Sequence, residues 1–286
     1  MRGFSRFGPA LLAVIACGCS GYDDAYWLGD NEIVFGISQR TVTTLEGENK
    51  TEVTAGYEYL RLAHTGGWGP WIFRDGDGEG TCYFERFDER LGKPHVESGA
   101  ASFTGGKLPA PGGLQILANQ RDLSRHEGLG WEEGDVLTFD VSGFAMPPIP
   151  RATMIAPGTT LEVVSIAPSL PEGAAELTIR SSDSVGVEWR PVEDKPLLRV
   201  MVSLETEVEN GPVAQVRCFG TARSGSAIIP ARWVARLFST VDPNAPIKGR
   251  LAIATHRQVT IYARGGWVVY VVATTVHREQ AFKGER

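Results

Sequence analysis

Apolar and polar residues alternate with period two along most of this chain, and the period of a helix is missing from all but one segment. VFGISQ (34–39), TEVTAGYEYLRLA (51–63), CYFERF (82–87), GAASFTG (99–105), LQILA (114–118) and DVLTFDVSG (135–143) alternate or are rich in β-forming residues. Turn residues (Gly, Pro, Asn, Asp) bound them, so each predicts a strand. MPPIPRATMIAPGTT (146–160), with its prolines and glycine, is the candidate domain boundary, in part readable as an edge strand. Strands resume in LEVVSI (161–166), AELTIR (175–180), VGVEW (185–189), LLRVMVSLE (197–205), VAQVRCF (213–219), RLAIATHR (250–257) and WVVYVVATTV (267–276). Such spacing predicts a β-sandwich. One exception is SGSAIIPARWVARLF, where Pro230 precedes Trp233, Val234 and Leu237, spaced for one short helical face.

The expected fold class is therefore all-β: two β-sandwich-like domains, 32–150 and 151–280, the second immunoglobulin- or fibronectin III-like with one short helical turn. A polar tail, 281–286, is expected to follow.

Ahead of the strands, MRGFSRFGPALLAVIACGCSG places Arg2 and Arg6 before an apolar stretch from Pro9 to Ala16, the order of a bacterial secretory signal. That stretch is shorter than the roughly 20 residues a membrane span needs. VIAC (14–17) resembles a lipobox, with Val14 at −3 and Ala16 at −1, so Cys17 is the expected lipidation site and Cys19 the alternative. Several acyl chains on one residue hold a protein firmly on a membrane, which makes the lipid bilayer the first expected partner. GYDDAYWLGDN (21–31) suits a tether, and residues 17–31 are assigned to it.

Formal charge is −6 for the whole chain, and removing residues 1–16, which hold two arginines and no acids, leaves −8. Nucleic acid is excluded as an expected partner, because binding it needs clustered Lys and Arg. Of the four cysteines, two lie in the lipobox region. Cys82 and Cys218 remain, as a candidate disulfide in an oxidising compartment or as two separate buried thiols.

Several features together resemble a family of uncharacterised extracellular lipoproteins of myxobacteria and related bacteria. They are the lipobox, a cysteine ahead of ESGAASFTGGKLP (97–109), WEEGDVLTFDVSG (131–143), IAPGTTLEVVS (155–165) and SSDSVGVEW (181–189). VRCFGTARSGSAIIPARWVARL (216–237) and GGWVVYVVATTV (265–276) complete the set. The resemblance implies a two-part all-β fold in the cell envelope, with no assigned activity and no catalytic residues. Independently of it, Trp189 shares an apolar strand face with Val185 and Val187 and is expected in the core.

Motifs for chemistry are sparse. Gly-x-Ser-x-Gly, Ser-x-x-Lys, a phosphate loop and a dinucleotide fingerprint are all missing, and the one His-Glu pair, His126-Glu127, has no following histidine. His64, His95, His256 and His277 are scattered, His277 in the expected polar C-terminal region. Glu85, Asp88, Glu132, Glu133 and Asp135 are candidate glycosidase carboxylates, though nothing selects two of them and a solvated surface explains them. RDGDGEGTCYFERFDE offers Asp75 and Asp77 as weak calcium ligands. An EF-hand alignment, however, places Arg86 where a bidentate Glu belongs, so the glycines read mainly as a turn delivering Cys82 to its strand. Trp68 and Trp71, in GWGPWIF, form a candidate sugar-stacking platform, with Tyr57, Tyr59 and Trp131 as contributors, against the alternative that these rings fill the core.

The expectation from sequence is a lipid-anchored envelope protein, facing the periplasm or the cell surface, that acts as a non-catalytic binding or structural module without a cofactor. A glycan or an envelope protein is its candidate partner. A carbohydrate-active enzyme and a subunit of an envelope or adhesion assembly are the alternatives.

Overall fold

The computed structural model describes residues 32–43, 49–59, 81–86, 99–116, 124–143, 146–170, 172–192, 198–208 and 211–286. In chain order these form β1 (Glu32–Thr43), β2 (Asn49–Tyr59), β3 (Cys82–Arg86), β4 (Ala101–Gly105), β5 (Leu114–Ile116), β6 (Ser124–Glu127), β7 (Val136–Val141) and β8 (Ile149–Ile155). There follow β9 (Val163–Ala167), β10 (Leu177–Arg180), β11 (Val185–Trp189), β12 (Arg199–Val208), β13 (Gly211–Thr221), β14 (Ser226–Ile229), α1 (Ala231–Phe238), β15 (Ile247–Ala263) and β16 (Trp267–Glu285). The protein is all-β, as the alternating pattern predicts.

Nine strands make one sheet, in the order β3-β13-β12-β15-β16-β1-β2-β6 with β10 also on β16. Smaller sheets, β14-β11-β9 and β5-β4-β7-β8, pack against it. β16 organises the whole: on one side it pairs with β15 along almost its full length, and on the other it pairs in parallel first with β1 and then with β10. Between those two partners the register slips, because Ile253 faces Arg278 while Ala254 faces Val276, leaving His277 as a bulge residue.

Two apolar cores lie on one face of the large sheet. The first joins Ile33, Phe35 and Ile37 of β1 to Phe103, Phe139, Trp131 and the residues Val269, Val271 and Ala273 of β16. The second joins Val187, Trp189, Val202, Leu204, Val216 and Cys218 to Leu237 and Phe238 of α1 and Phe282 of β16. Each indole is satisfied: Trp131 Nε1 donates to Thr275 Oγ1 at 3.1 Å and Trp189 Nε1 to the Ala222 carbonyl at 3.0 Å. Trp189 thus occupies the core position that its strand pattern predicts, and Cys218 is buried in the same core.

A polar seam separates the cores. Thr255 Oγ1 donates to the Gly158 carbonyl at 2.7 Å and lies 2.8 Å from His277 Nε2. A hydroxyl has one proton to give, and a carbonyl can only accept it, so the His277 Nε2–H is the donor to Thr255. Nearby, Gln39 Oε1 accepts from the backbone N–H groups of Gly130 at 2.7 Å and Trp131 at 3.1 Å.

The cores follow the expected division of the chain only in part, since β1, β2, β3 and β6 join the same sheet as strands from beyond residue 151. Residues 281–286, expected as a polar tail, are largely β16, paired on both sides with Phe282 buried. One phenylalanine among charged neighbours is too weak a signal to announce a strand, yet burying it contributes about 2 kcal/mol. Within the proline-rich stretch, Ile149–Ile155 is the edge strand β8. The expected helical turn is α1, with Pro230 one place earlier than a first-turn proline, at the N-cap; Val234, Leu237 and Phe238 are buried.

Candidate functional site

The other face of the nine-stranded sheet is not a plain solvated surface. Even-numbered residues of β12 (Val200, Val202, Leu204) feed a core, so Met201, Ser203 and Glu205 point the opposite way. The same alternation sends Arg250, Ala252 and Ala254 of β15, Gln215 of β13, and Ser38 and Arg40 of β1 to that face. Register then aligns them. Met201, Ala254, Val276, Arg40 and Glu52 form one row across five strands, Ser203, Ala252 and Glu279 a second, and Gln215, Glu205 and Arg250 a third.

These rows surround a hollow of about 290 Å³. Ala252 and Ala254 leave its floor low, flanked by Met201 and Val276, while Thr54 and Arg125 bring β2 and β6 to its rim. Ser203, Ser38, Gln215 and Thr54 are only 3%, 5%, 7% and 8% exposed, yet none makes a side-chain hydrogen bond to a described residue. Their polar atoms are not among the fully buried ones, so these hydroxyl and amide groups open onto the hollow and are available to whatever fills it.

Charge on the walls alternates. Arg40 sets Nε and Nη2 on Glu52 Oε1, both at 2.6 Å, with Nη1 3.9 Å from Glu279. Arg250 places Nε 2.5 Å from Glu207 and Nη2 3.5 Å from Glu205. Burial raises the pKa of Glu205, an effect that Arg250 opposes and the nearby Glu207 and Glu279 reinforce. Burial works against the charge on Arg250, but Glu207, Glu205 and Glu279 outweigh it and leave its pKa raised. Arg125, exposed at the rim, has no ion-pair partner among the described residues.

Beyond Ala254 the face closes over His256, whose ring meets Phe219 edge-on with centroids 5.8 Å apart. Burial, then the positive field of Arg217 and Arg199, pushes its pKa down to about 3, with Gln258 as a lesser opposing neighbour. Thr274 stands opposite His256 in the register, and its buried hydroxyl makes no hydrogen bond to a described residue. Burial also takes His277 down to about 4 and, against the pull of Arg217, Tyr83 up to about 12.

The residues singled out from sequence are elsewhere. Cys17, Cys19, Trp68, Trp71, Asp75, Asp77, Asp88, His64 and His95 lie outside the described residues, as do the side chains of Tyr57, Tyr59 and Glu85. Trp131 is fully buried and contributes nothing to a surface platform; its ring fills the first core. Glu132 and Glu133 are exposed in the turn that follows it, where Asp135 accepts the Glu132 N–H at 2.9 Å, and none of these three acids lines the hollow. Cys82 and Cys218 face each other across β3 and β13 and are disulfide-bonded, with Cα atoms 4.1 Å apart. Among the described residues no three His, Cys, Asp or Glu side chains converge as a metal-ligand set.

No protein-family model matches the chain, and no curated protein matches it either. The hollow's own residues, Arg40, Glu205, Arg250 and Glu279 above all, escaped the reading of motifs. Their only signal is a charged face on strands whose other face is apolar, which is also what a solvated strand shows.

Proposed function

We propose that this protein is a lipid-anchored component of the bacterial cell envelope, held by Cys17, whose folded part is a non-catalytic module binding a polar ligand in the hollow. One observation carries the binding reading: Ser38, Thr54, Ser203 and Gln215, all little exposed, line a common space onto which their hydrogen-bonding groups open without a described partner. The lipobox-like VIAC and the charged-then-apolar segment before it support the anchor.

A thermal-shift screen of the full chain against small polar molecules tests the site. A ligand that raises the melting temperature, and no longer does so in Ala254→Leu, is the expected result; a screen with no stabilising compound would sink the reading. Globomycin treatment or Cys17→Ala tests the anchor, with loss of processing and of membrane association expected.

A second reading, a carbohydrate-active enzyme, draws on Glu205 and Glu279 at one hollow, the pKa of Glu205 being raised by burial. Binding is preferred because the carboxylates at the hollow are each engaged by an arginine of the wall, Glu205 by Arg250 at 3.5 Å and Glu279 by Arg40 at 3.9 Å. Oligosaccharide turnover abolished by Glu205→Gln would reverse that preference.

A further inference from the structure

We infer that the hollow takes a neutral, polyhydroxylated ligand, a short saccharide segment of an envelope glycan, seated among Ser203, Gln215, Glu205, Arg250 and Glu279. This rests on the binding reading above and names the ligand class for that site.

The mixed charges on the wall exclude the other ligand classes. A phosphate or another dianion would have to lie against Glu205 and Glu279, and a cation against Arg40 and Arg250, so a strongly charged ligand of either sign meets repulsion on the wall. An apolar ligand would strip water from those charges, and from Ser203 and Gln215, without replacing its hydrogen bonds. Sugar hydroxyls fit both demands because each donates and accepts. They can accept from guanidinium N–H groups and donate to Glu279, whose carboxylate makes only a 3.9 Å ion pair with Arg40 and no hydrogen bond to a described residue.

The floor suits the same ligand. Ala252, Ala254, Met201 and Val276 offer an apolar strip for the C–H face of a sugar ring, set between polar walls. At about 290 Å³ the hollow is at the small end of ligand pockets, which fits a short segment of chain.

The test is a glycan array, with the full chain in detergent and three arms: neutral oligosaccharides, uronic-acid oligosaccharides and phosphorylated sugars. Within the neutral arm, β-1,4-linked N-acetylglucosamine oligomers, which have the peptidoglycan linkage without the muramic carboxylate, and neutral exopolysaccharide fragments distinguish the two envelope sources. Binding is expected in the neutral arm, hardly changed between low and high salt, because no net charge is exchanged. Glu279→Gln, which keeps the shape, and Ala252→Leu, which fills the floor, should each weaken it about tenfold or more, with Glu279→Gln melting like the parent. Binding of charged sugars alone, lost at high salt, would overturn this inference and leave the binding module standing. Neutral binding indifferent to both variants would place the sugar elsewhere and also overturn it. Silence in every arm while the thermal-shift screen finds another polar ligand refutes the saccharide alone, whereas silence in both refutes the site.

Discussion

At His256 and His277 a single residue type makes the fold sensitive to acid. Both are held neutral by burial, with pKa values near 3 and 4, whereas the unfolded chain takes up the proton near pH 6.5. Depressed histidine pKa values leave stability intact above about pH 6.5. They remove it as pH falls from there toward 4 and 3, by up to about 1.4 kcal/mol per pH unit at each site. Urea unfolding at neutral pH and at mildly acidic pH should show this loss, reduced in a His256→Gln, His277→Gln double variant; an unchanged slope in that variant would contradict it. Gly249, beside Arg250, is a steric case. A Cβ there would run into the Glu205 carbonyl oxygen and lie 2.7 Å from the Phe282 ring. Gly249→Ala should therefore lower stability by about 1–3 kcal/mol, read by chemical denaturation. Sequence showed Trp189 as core because its strand alternates cleanly, but Gly249 and His256 carry no such mark, since their importance comes from neighbours on other strands.

Elements were more legible than their partners. Most strands announce themselves by alternation, and α1 by the spacing of Val234 and Leu237, whereas β6 (SRHE) and β14 (SAII) are too short and too mixed to stand out. Pairing is another matter. Nothing in CYFER says that β3 lies on the edge of the large sheet, tied to β13 by Cys82–Cys218 across 136 residues of sequence. Closing so long a loop restricts the unfolded chain, so reducing the bond or substituting Cys82→Ala with Cys218→Ala should cost about 2–5 kcal/mol. Denaturation with and without reductant measures it, and equal midpoints would refute it. The hollow was illegible for the same reason: Arg40, Glu205, Arg250 and Glu279 come from β1, β12, β15 and β16 and meet only once the register is fixed.

Over the whole molecule, two cores share β15 and β16. Neither can lose its half of that hairpin without unpairing strands that the other core needs, so calorimetry should show one unfolding transition. Phe139→Ala in the first core and Phe282→Ala in the second should each shift that same transition downward, by an amount matching about 3–5 kcal/mol. Two separated transitions, each moved by only one of the variants, would show the cores to be independent.

The parallel pairing of β1 with β16 has a temporal consequence. The first described strand of the chain finds its central neighbour in the last, Glu32 against Val268 through Arg40 against Val276. Contacts so far apart in sequence form late and slowly. A polypeptide emerging from its N-terminus onward therefore cannot complete this sheet until β16 has emerged, which leaves β1 without its central neighbour, and the segment around it open and threadable, while all the strands between are being made.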